Sequence, residues 1–175
     1  MDKLPRRIAV VGRAGAGKTT IARRLGEAFD LPVVHLDTMF WGRDWMEVER
    51  ETFEAQQLAA IETEAWVIDG GYLTSRGWPA RLARSELVVV AEAPIVVCVW
   101  RVVRRALTTG RRRPDMPAGA HEEVSAYFLW WIATWGRRHP RLAETLRSTP
   151  GAPPVAVVRS PADLEALIDA TGSVR

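Results

Sequence analysis

The sequence predicts an α/β fold, a five-stranded parallel sheet with helices on both faces, and three observations predict it. Short apolar runs, nearly continuous as strands buried on both faces should be, alternate with longer stretches of helical periodicity. A glycine-rich turn joins the first run directly to the first helical stretch. With 175 residues, 47% apolar and 26% charged, the chain can close one core of this kind without disulfides or metal staples.

The first strand is IAVVG at 8–12, and Ile21, Leu25 and Ala28 recur after it at helical spacing. VVHLD at 33–37 is the second strand, followed by a more charged helix marked by Phe53, Gln57, Leu58 and Ile61. WVIDG at 66–70 is the third strand and LVVVAEA at 87–93 the fourth, with a helix after Pro94. From Thr108 to Gly119 two glycines, two prolines and three consecutive arginines read as a mobile loop between two helices, the natural position of a lid. VAVVR at 155–159 is the fifth strand. Ser160 then suits an N-cap, with Pro161 at the first helical position, Asp163 three residues past the cap, and Leu164, Leu167 and Ile168 as one apolar stripe. A single domain over residues 1–175 is expected, with a core at 6–105 and 139–172 and a short helical lid at about 106–138.

Composition narrows the setting. The single cysteine, Cys98, lies in an apolar run and reads as a small buried hydrophobe, which suits the cytoplasm. The basic start MDKLPRR leads into an apolar run that Gly12 and Arg13 stop before it reaches secretory length. Residues 87–100 are interrupted by Glu92 and Pro94, and VSAYFLWWIATW has twelve residues, so neither predicts a membrane span. The net charge of +3 is carried by an excess of arginine, whose planar fork of donors grips phosphate in nucleotides and nucleic acid alike.

The strongest motif is GRAGAGKT, which fits G-x-x-x-x-G-K-[ST] at Gly12, Gly17, Lys18 and Thr19 between a strand and a helix. Such a loop turns successive backbone N–H groups toward one anion, and the helix N-terminus adds its partial positive charge. Gly12, Arg13, Ala14, Gly15, Ala16 and Gly17 therefore form a candidate phosphate cradle for ATP, with Lys18 reaching the β- and γ-phosphates. Thr19 offers a hydroxyl to Mg2+, and Thr20 lies within reach of the α-phosphate. This pattern in this setting predicts a three-layer P-loop nucleotide-binding fold.

Two acids close predicted strands. Asp69, after Trp66-Val67-Ile68, has the form of a Walker B carboxylate that holds Mg2+ or its waters; the alternative is a strand-terminating Asp. Asp37 suits a group that orients an acceptor hydroxyl and takes its proton, or else a turn-capping Asp. Phe40, Trp41 and Trp45 beside it suit the walls of an apolar pocket. His35, on the same expected strand, reads as a core histidine that points away from the crevice.

Arg101 and Arg105 share one helical face, with Arg104 beside them. Arg111, Arg112 and Arg113 follow in the loop, and Arg137 and Arg138 end the next helical stretch. Closed over a triphosphate, such a loop would set guanidinium forks of this cluster against the transferring phosphoryl group. A basic face for nucleic acid is the alternative.

The segments RIAVVGRAGAGKTT, VVHLDTMFW, WVIDGGY, WRVVRR, GRRRPDM and VRSPADLEALI together resemble the FlaR-related DNA topology modulation proteins, nearly end to end. These are adenylate-kinase-like P-loop proteins. The resemblance implies ATP on the loop, an acceptor pocket over the second and third strand ends, adenine and phosphate contacts from Arg101 and Arg105, an adenine contact from the backbone at Ser160, and lid roles for Arg111, Arg113, Arg137 and Arg138. Tyr72, in the WVIDGGY segment, is a further candidate substrate-binding residue with Asp37, Phe40, Trp41 and Arg76. Gly71 stands where that family usually has Asn, a departure that bears on acceptor contact. A phosphate acceptor would call on Arg43, Arg76 or Arg81. The activity implied is transfer of the ATP γ-phosphate to a small acceptor by a monomer or weak homodimer. A DNA-associated regulatory ATPase is the second reading.

Overall fold

A computed structural model describes residues 4–42, 46–108 and 125–172. Five strands, β1 (Arg7–Gly12), β2 (Val33–His35), β3 (Trp66–Asp69), β4 (Leu87–Ala91) and β5 (Val155–Val158), form one sheet in the order β2-β3-β1-β4-β5. Every pairing is parallel. The three central strands read as unbroken apolar runs because both of their faces are covered.

The helices are α1 (Lys18–Phe29), α2 (Leu36–Phe40), α3 (Arg50–Glu62), α4 (Gly77–Arg84), α5 (Ile95–Thr108), α6 (Ala126–Arg138), α7 (Leu142–Ser148) and α8 (Pro161–Gly172). On one face of the sheet, Ile8, Val10, Val67 and Val89 pack with Ile21 and Leu25 of α1, Val102 of α5, Ile132 of α6 and Leu164 of α8. On the other, Ala9, Val11, Ile68, Val88 and Val90 meet Leu36, Phe53, Ile61, Ala143 and Leu146. Alternation along each strand thus builds the predicted three layers, each fully buried aliphatic side chain contributing about 1.5–3 kcal/mol.

Local chemistry sets the helix ends. The Ser160–Asp163 box forms as its spacing predicts: Asp163 Oδ2 accepts the N–H groups of Arg159 (2.8 Å) and Ser160 (3.0 Å), and Ser160 Oγ accepts that of Asp163 (3.2 Å). At the end of α1, Asp30 takes the left-handed conformation (φ 53°), and its N–H and that of Leu31 both reach the Gly26 carbonyl.

Two differences from the sequence reading matter for the site. The second strand stops at His35, not at residue 37, because fully buried Leu36 turns the chain into α2; Asp37 therefore sits in the first turn of a short helix. In addition, α4 and α7 are helices that the periodicity did not announce. The third and fourth strands end at Asp69 and Ala91, slightly earlier than expected. Arg43, Trp45, Arg111, Arg112 and Arg113 lie outside the described residues.

Candidate active site

The carboxyl ends of β1 and β3 lie side by side, with Val10 registered against Asp69 and the Gly70 N–H donating to the Val10 carbonyl (3.2 Å). From β1 the chain passes through Gly12, Arg13, Ala14, Gly15, Ala16 and Gly17 and enters α1 at Lys18. The Ala16 N–H and the Lys18 ammonium both donate to the Arg13 carbonyl, each at 3.2 Å, which curls the loop over the helix N-terminus. From α5, Arg101 Nη1 reaches the carbonyls of Gly15 (3.3 Å) and Ala16 (3.4 Å). Engaging those carbonyls supports the loop conformation that presents N–H groups to an anion.

Positive charge converges on this loop. The Arg13 guanidinium lies over the Trp135 ring at 5.7 Å, its Nε buried without a partner among the described residues. Burial pushes the Cys98 thiol up, while Arg13, Arg101 and Lys18 pull it back down, so three cations act on one buried atom beneath the loop. Cys98 is fully buried, as its surroundings in the sequence predict. Thr19 is half-buried and Thr20 exposed.

The strand-end acids separate into two environments. Asp69 is 5% exposed; its Oδ2 takes the His35 Nδ1 at 3.0 Å, and its Oδ1 is buried with no hydrogen-bond partner among the described residues. The expectation that His35 points away is overturned. It is registered opposite Asp69 on the neighbouring strand, so both side chains leave the same face of the sheet. Asp37 is exposed instead, and its Oδ1 accepts the Tyr72 hydroxyl at 2.8 Å. Burial and then the Asp37 carboxylate push the Tyr72 phenol well above its usual range, so it remains a donor. Phe40, Trp41, Phe53 and Tyr72 form a cluster with ring centroids 4.8–5.1 Å apart, an apolar wall beside Asp37.

The remaining arginines divide. Arg76 is exposed at the rim, 3.9 Å from Glu54 on α3. Arg81 is fully buried over the Trp78 ring (4.8 Å), with Nη2 donating to the Gly71 carbonyl (2.6 Å) and Nε and Nη1 without partners among the described residues. Burial pulls its guanidinium down to about 9 against the opposing pull of Asp69. Arg105 is half-buried on α5. Arg137 and Arg138 are both exposed at the end of α6; Arg138 folds back on its own helix, bonding the Trp131 carbonyl (2.7 Å) and lying over Trp130 and Trp131. Ser160 spends its hydroxyl on the α8 cap, leaving its backbone for any other contact.

Beside the loop, Arg13, Trp135, His139, Arg141, Arg159 and Glu92 line a cavity of about 410 Å³. Its one carboxylate is matched by Arg159 at 3.0 Å, so the lining is cationic on balance. Trp135, His139 and Arg141 carry no motif and were not foreseen. Arg81 had a signal: it is an arginine four residues from Gly77 and Ser85 and three from Trp78, all on one inward face. Among the described residues no helix is long and apolar enough to cross a membrane, and no cluster of three or more His, Cys, Asp or Glu is arranged to hold a metal by itself.

No protein-family model matches the chain and no curated protein matches it, so the resemblance to FlaR-related proteins gains no support from that side. Solved structures do match. Shikimate kinase from Acinetobacter baumannii in complex with shikimate is 17% identical, covering 98% of this chain and 95% of that one with a TM-score of 0.65. A gluconokinase from Sinorhizobium meliloti 1021 is 16% identical (98% and 92% covered, TM-score 0.57). Deoxyadenosine kinase from M. mycoides is 12% identical (97% and 100% covered, TM-score 0.54). What the chain shares with all three, over nearly its whole length, is the fold of the P-loop small-molecule kinases.

Proposed function

We propose that the protein is an Mg-ATP-dependent phosphotransferase that moves the γ-phosphate of ATP to a small acceptor, a nucleoside, nucleotide or other small hydroxyl compound. The observation that carries this reading is the phosphate loop lying next to a buried, unpaired carboxylate oxygen, Asp69 Oδ1, on the adjoining strand. An ion bound between Asp69, Thr19 and the phosphates would supply charge neutralisation during transfer. The donor set fits that role: a buried carboxylate oxygen without a hydrogen bond among the described residues is costly, and Arg81 nearby supplies charge but no bond to it.

The chain's own residues divide the work. The Lys18 ammonium exchanges its Arg13 carbonyl partner for a phosphate oxygen. Arg101 supports the loop, with Arg105 and the Ser160 backbone toward the base. Asp37 orients the acceptor hydroxyl and takes its proton, held by the Tyr72 phenol, while Phe40 and Trp41 exclude water and Arg76 stands at the rim. Arg137 and Arg138, with Arg111 and Arg113 of the proposed lid, stabilise the transferring phosphoryl group. The structural neighbours are named for shikimate, gluconate and deoxyadenosine, all of which bear hydroxyls, which favours a hydroxyl acceptor. The setting is the cytoplasm, and the working form a monomer or weak homodimer.

The test is transfer of labelled γ-phosphate from Mg-ATP to a panel of nucleosides, nucleoside monophosphates and small hydroxy acids, with Lys18→Ala as the control. Label on an acceptor that disappears in the control is the expected result. Asp37→Asn should lower kcat by about 10²–10⁴-fold with little change in ATP affinity. ATP hydrolysis that rises only with added DNA, with no labelled acceptor, would replace this reading by the regulatory ATPase.

A further inference from the structure

We propose that His35 is the positioning residue for Asp69, holding the carboxylate in the single orientation that turns Oδ1 toward the nucleotide's cation. The inference rests on the reading of Asp69 as a support for Mg2+. A carboxylate turns over a broad, roughly two-fold torsion, so an unrestrained Asp69 would present either oxygen at a range of angles. The bond from His35 Nδ1 to Oδ2, 3.0 Å long, removes that freedom and leaves Oδ1 as the buried oxygen with no partner among the described residues. With Asp69 ionised, the bond requires the proton on Nδ1, which also fixes the imidazole tautomer.

The backbone makes this arrangement rigid. His35 is the last residue of β2 and is registered against Asp69 at the end of β3, so the two side chains share one face at the same height. Its carbonyl accepts the Thr38 hydroxyl at 2.7 Å, and the next residue, Leu36, is fully buried. Sheet on one side and α2 on the other therefore fix the Cα–Cβ direction of His35. Both side chains are largely shielded, at 15% and 6% exposure, so water competes little for their bond. Partners of metal-supporting groups that act in this way typically contribute 10–100-fold to metal affinity.

The experiment measures ATP binding to the full chain by calorimetry with saturating Mg2+ and again with EDTA, and Mn2+ binding to the protein–ATP mixture by electron paramagnetic resonance. His35→Asn keeps a donor near the Nδ1 position, whereas His35→Leu removes it. The expected result is unchanged metal-free ATP affinity in all proteins, a full metal-dependent gain in wild type and His35→Asn, and a 10–100-fold smaller gain in His35→Leu. A full gain in His35→Leu overturns the proposal. So does an equal loss in His35→Asn, which would assign the effect to ring packing. If His35→Leu does not fold, as judged by its melting curve, His35→Gln serves as the loss variant, since its amide lies too far out to replace Nδ1. No metal-dependent gain in wild type would instead sink the Mg2+ reading itself, and the role of His35 with it.

Discussion

Two glycines of the phosphate loop separate the cost of backbone conformation from the cost of collision. Gly15 (φ +80°) and Gly17 (φ +102°) both adopt backbone conformations that L side chains rarely take. A Cβ on Gly17 would meet only the far end of Arg101, Nη1 at 3.7 Å. A Cβ on Gly15 would come 2.9 Å from the Cα and 3.0 Å from the carbonyl carbon of Cys98, and closer still to its carbonyl oxygen. Those are backbone atoms in the first turn of α5, where the Cys98 N–H is bonded to the Pro94 carbonyl (3.0 Å), so they yield little. Gly17→Ala thus carries the conformational cost alone, about 1–2 kcal/mol. Gly15→Ala adds an overlap of the overpacking kind, about 1–3 kcal/mol more. If the loop relieves that strain by leaving its observed shape, nucleotide binding must restore it. Mg-ATP affinity should then fall about 5–30-fold in Gly17→Ala and at least about 30-fold, up to several thousand-fold, in Gly15→Ala. Gly172→Ala, with nothing within 4 Å of its Cβ, is the control and should leave affinity unchanged. Titration with a fluorescent ATP analogue measures all three. Equal affinity in Gly15→Ala and Gly17→Ala would refute the reasoning, because it would mean that contact with Cys98 does not constrain the loop.

Arg81→Ala should cost about 3–5 kcal/mol in urea unfolding, since it strips the Gly71 carbonyl of its donor and removes a nearby positive charge from buried Asp69. Arg81→Met retains most of the volume and relieves two unpartnered buried nitrogens, so it should cost less than half as much; equal losses would contradict this account. Asp163 predicts a pH dependence. The Arg159 N–H above all holds its carboxyl below the ordinary 3.8; burial opposes it, and the Ser160 hydroxyl and N–H add to the lowering. A depressed folded-state value gives stability that is present above the unfolded value and lost as pH falls through the lower folded one. The stability advantage of wild type over Asp163→Asn should therefore be flat from pH 7 down to about 3.8 and shrink below it. An advantage that instead shrank between pH 7 and 5 would assign the effect to another group.

The strand-loop-helix turn at residues 12–19 was legible because its signal is local: eight consecutive residues specify a turn and a helix start, and no distant contact is needed to recognise them. The central strands were legible for a related reason, since burial on both faces leaves a continuous apolar run. The capping box of α8 also closes within four residues. Helix α4 was hidden by Gly77 and Pro79, which read as breakers although a proline in the first turn forfeits only an N–H that has no helical partner. The seven residues of α7 lie between Pro140 and Pro150, too short a span to show a period.

The ends of β2 and β3 were harder for a physical reason that His35 and Asp37 make plain. The sequence reading turned His35 away from the crevice and Asp37 into it, although residues two apart on a continuous strand share one face, and it carried the strand through residue 37. Parity, however, holds only while the strand lasts, and β2 ends at His35 because Leu36 buries itself completely against the far layer. One tertiary contact thus reverses the roles of two polar residues two positions apart: His35 joins the Asp69 carboxylate, while Asp37 leaves the sheet to meet Tyr72. Residues at strand ends are the ones a parallel sheet offers to a ligand, and they are also the ones whose direction is set by the turn that follows. The turn and helix start of a glycine-rich loop can therefore be read from consecutive residues, whereas the side chains at the ends of β2 and β3 must be read from the turns around them.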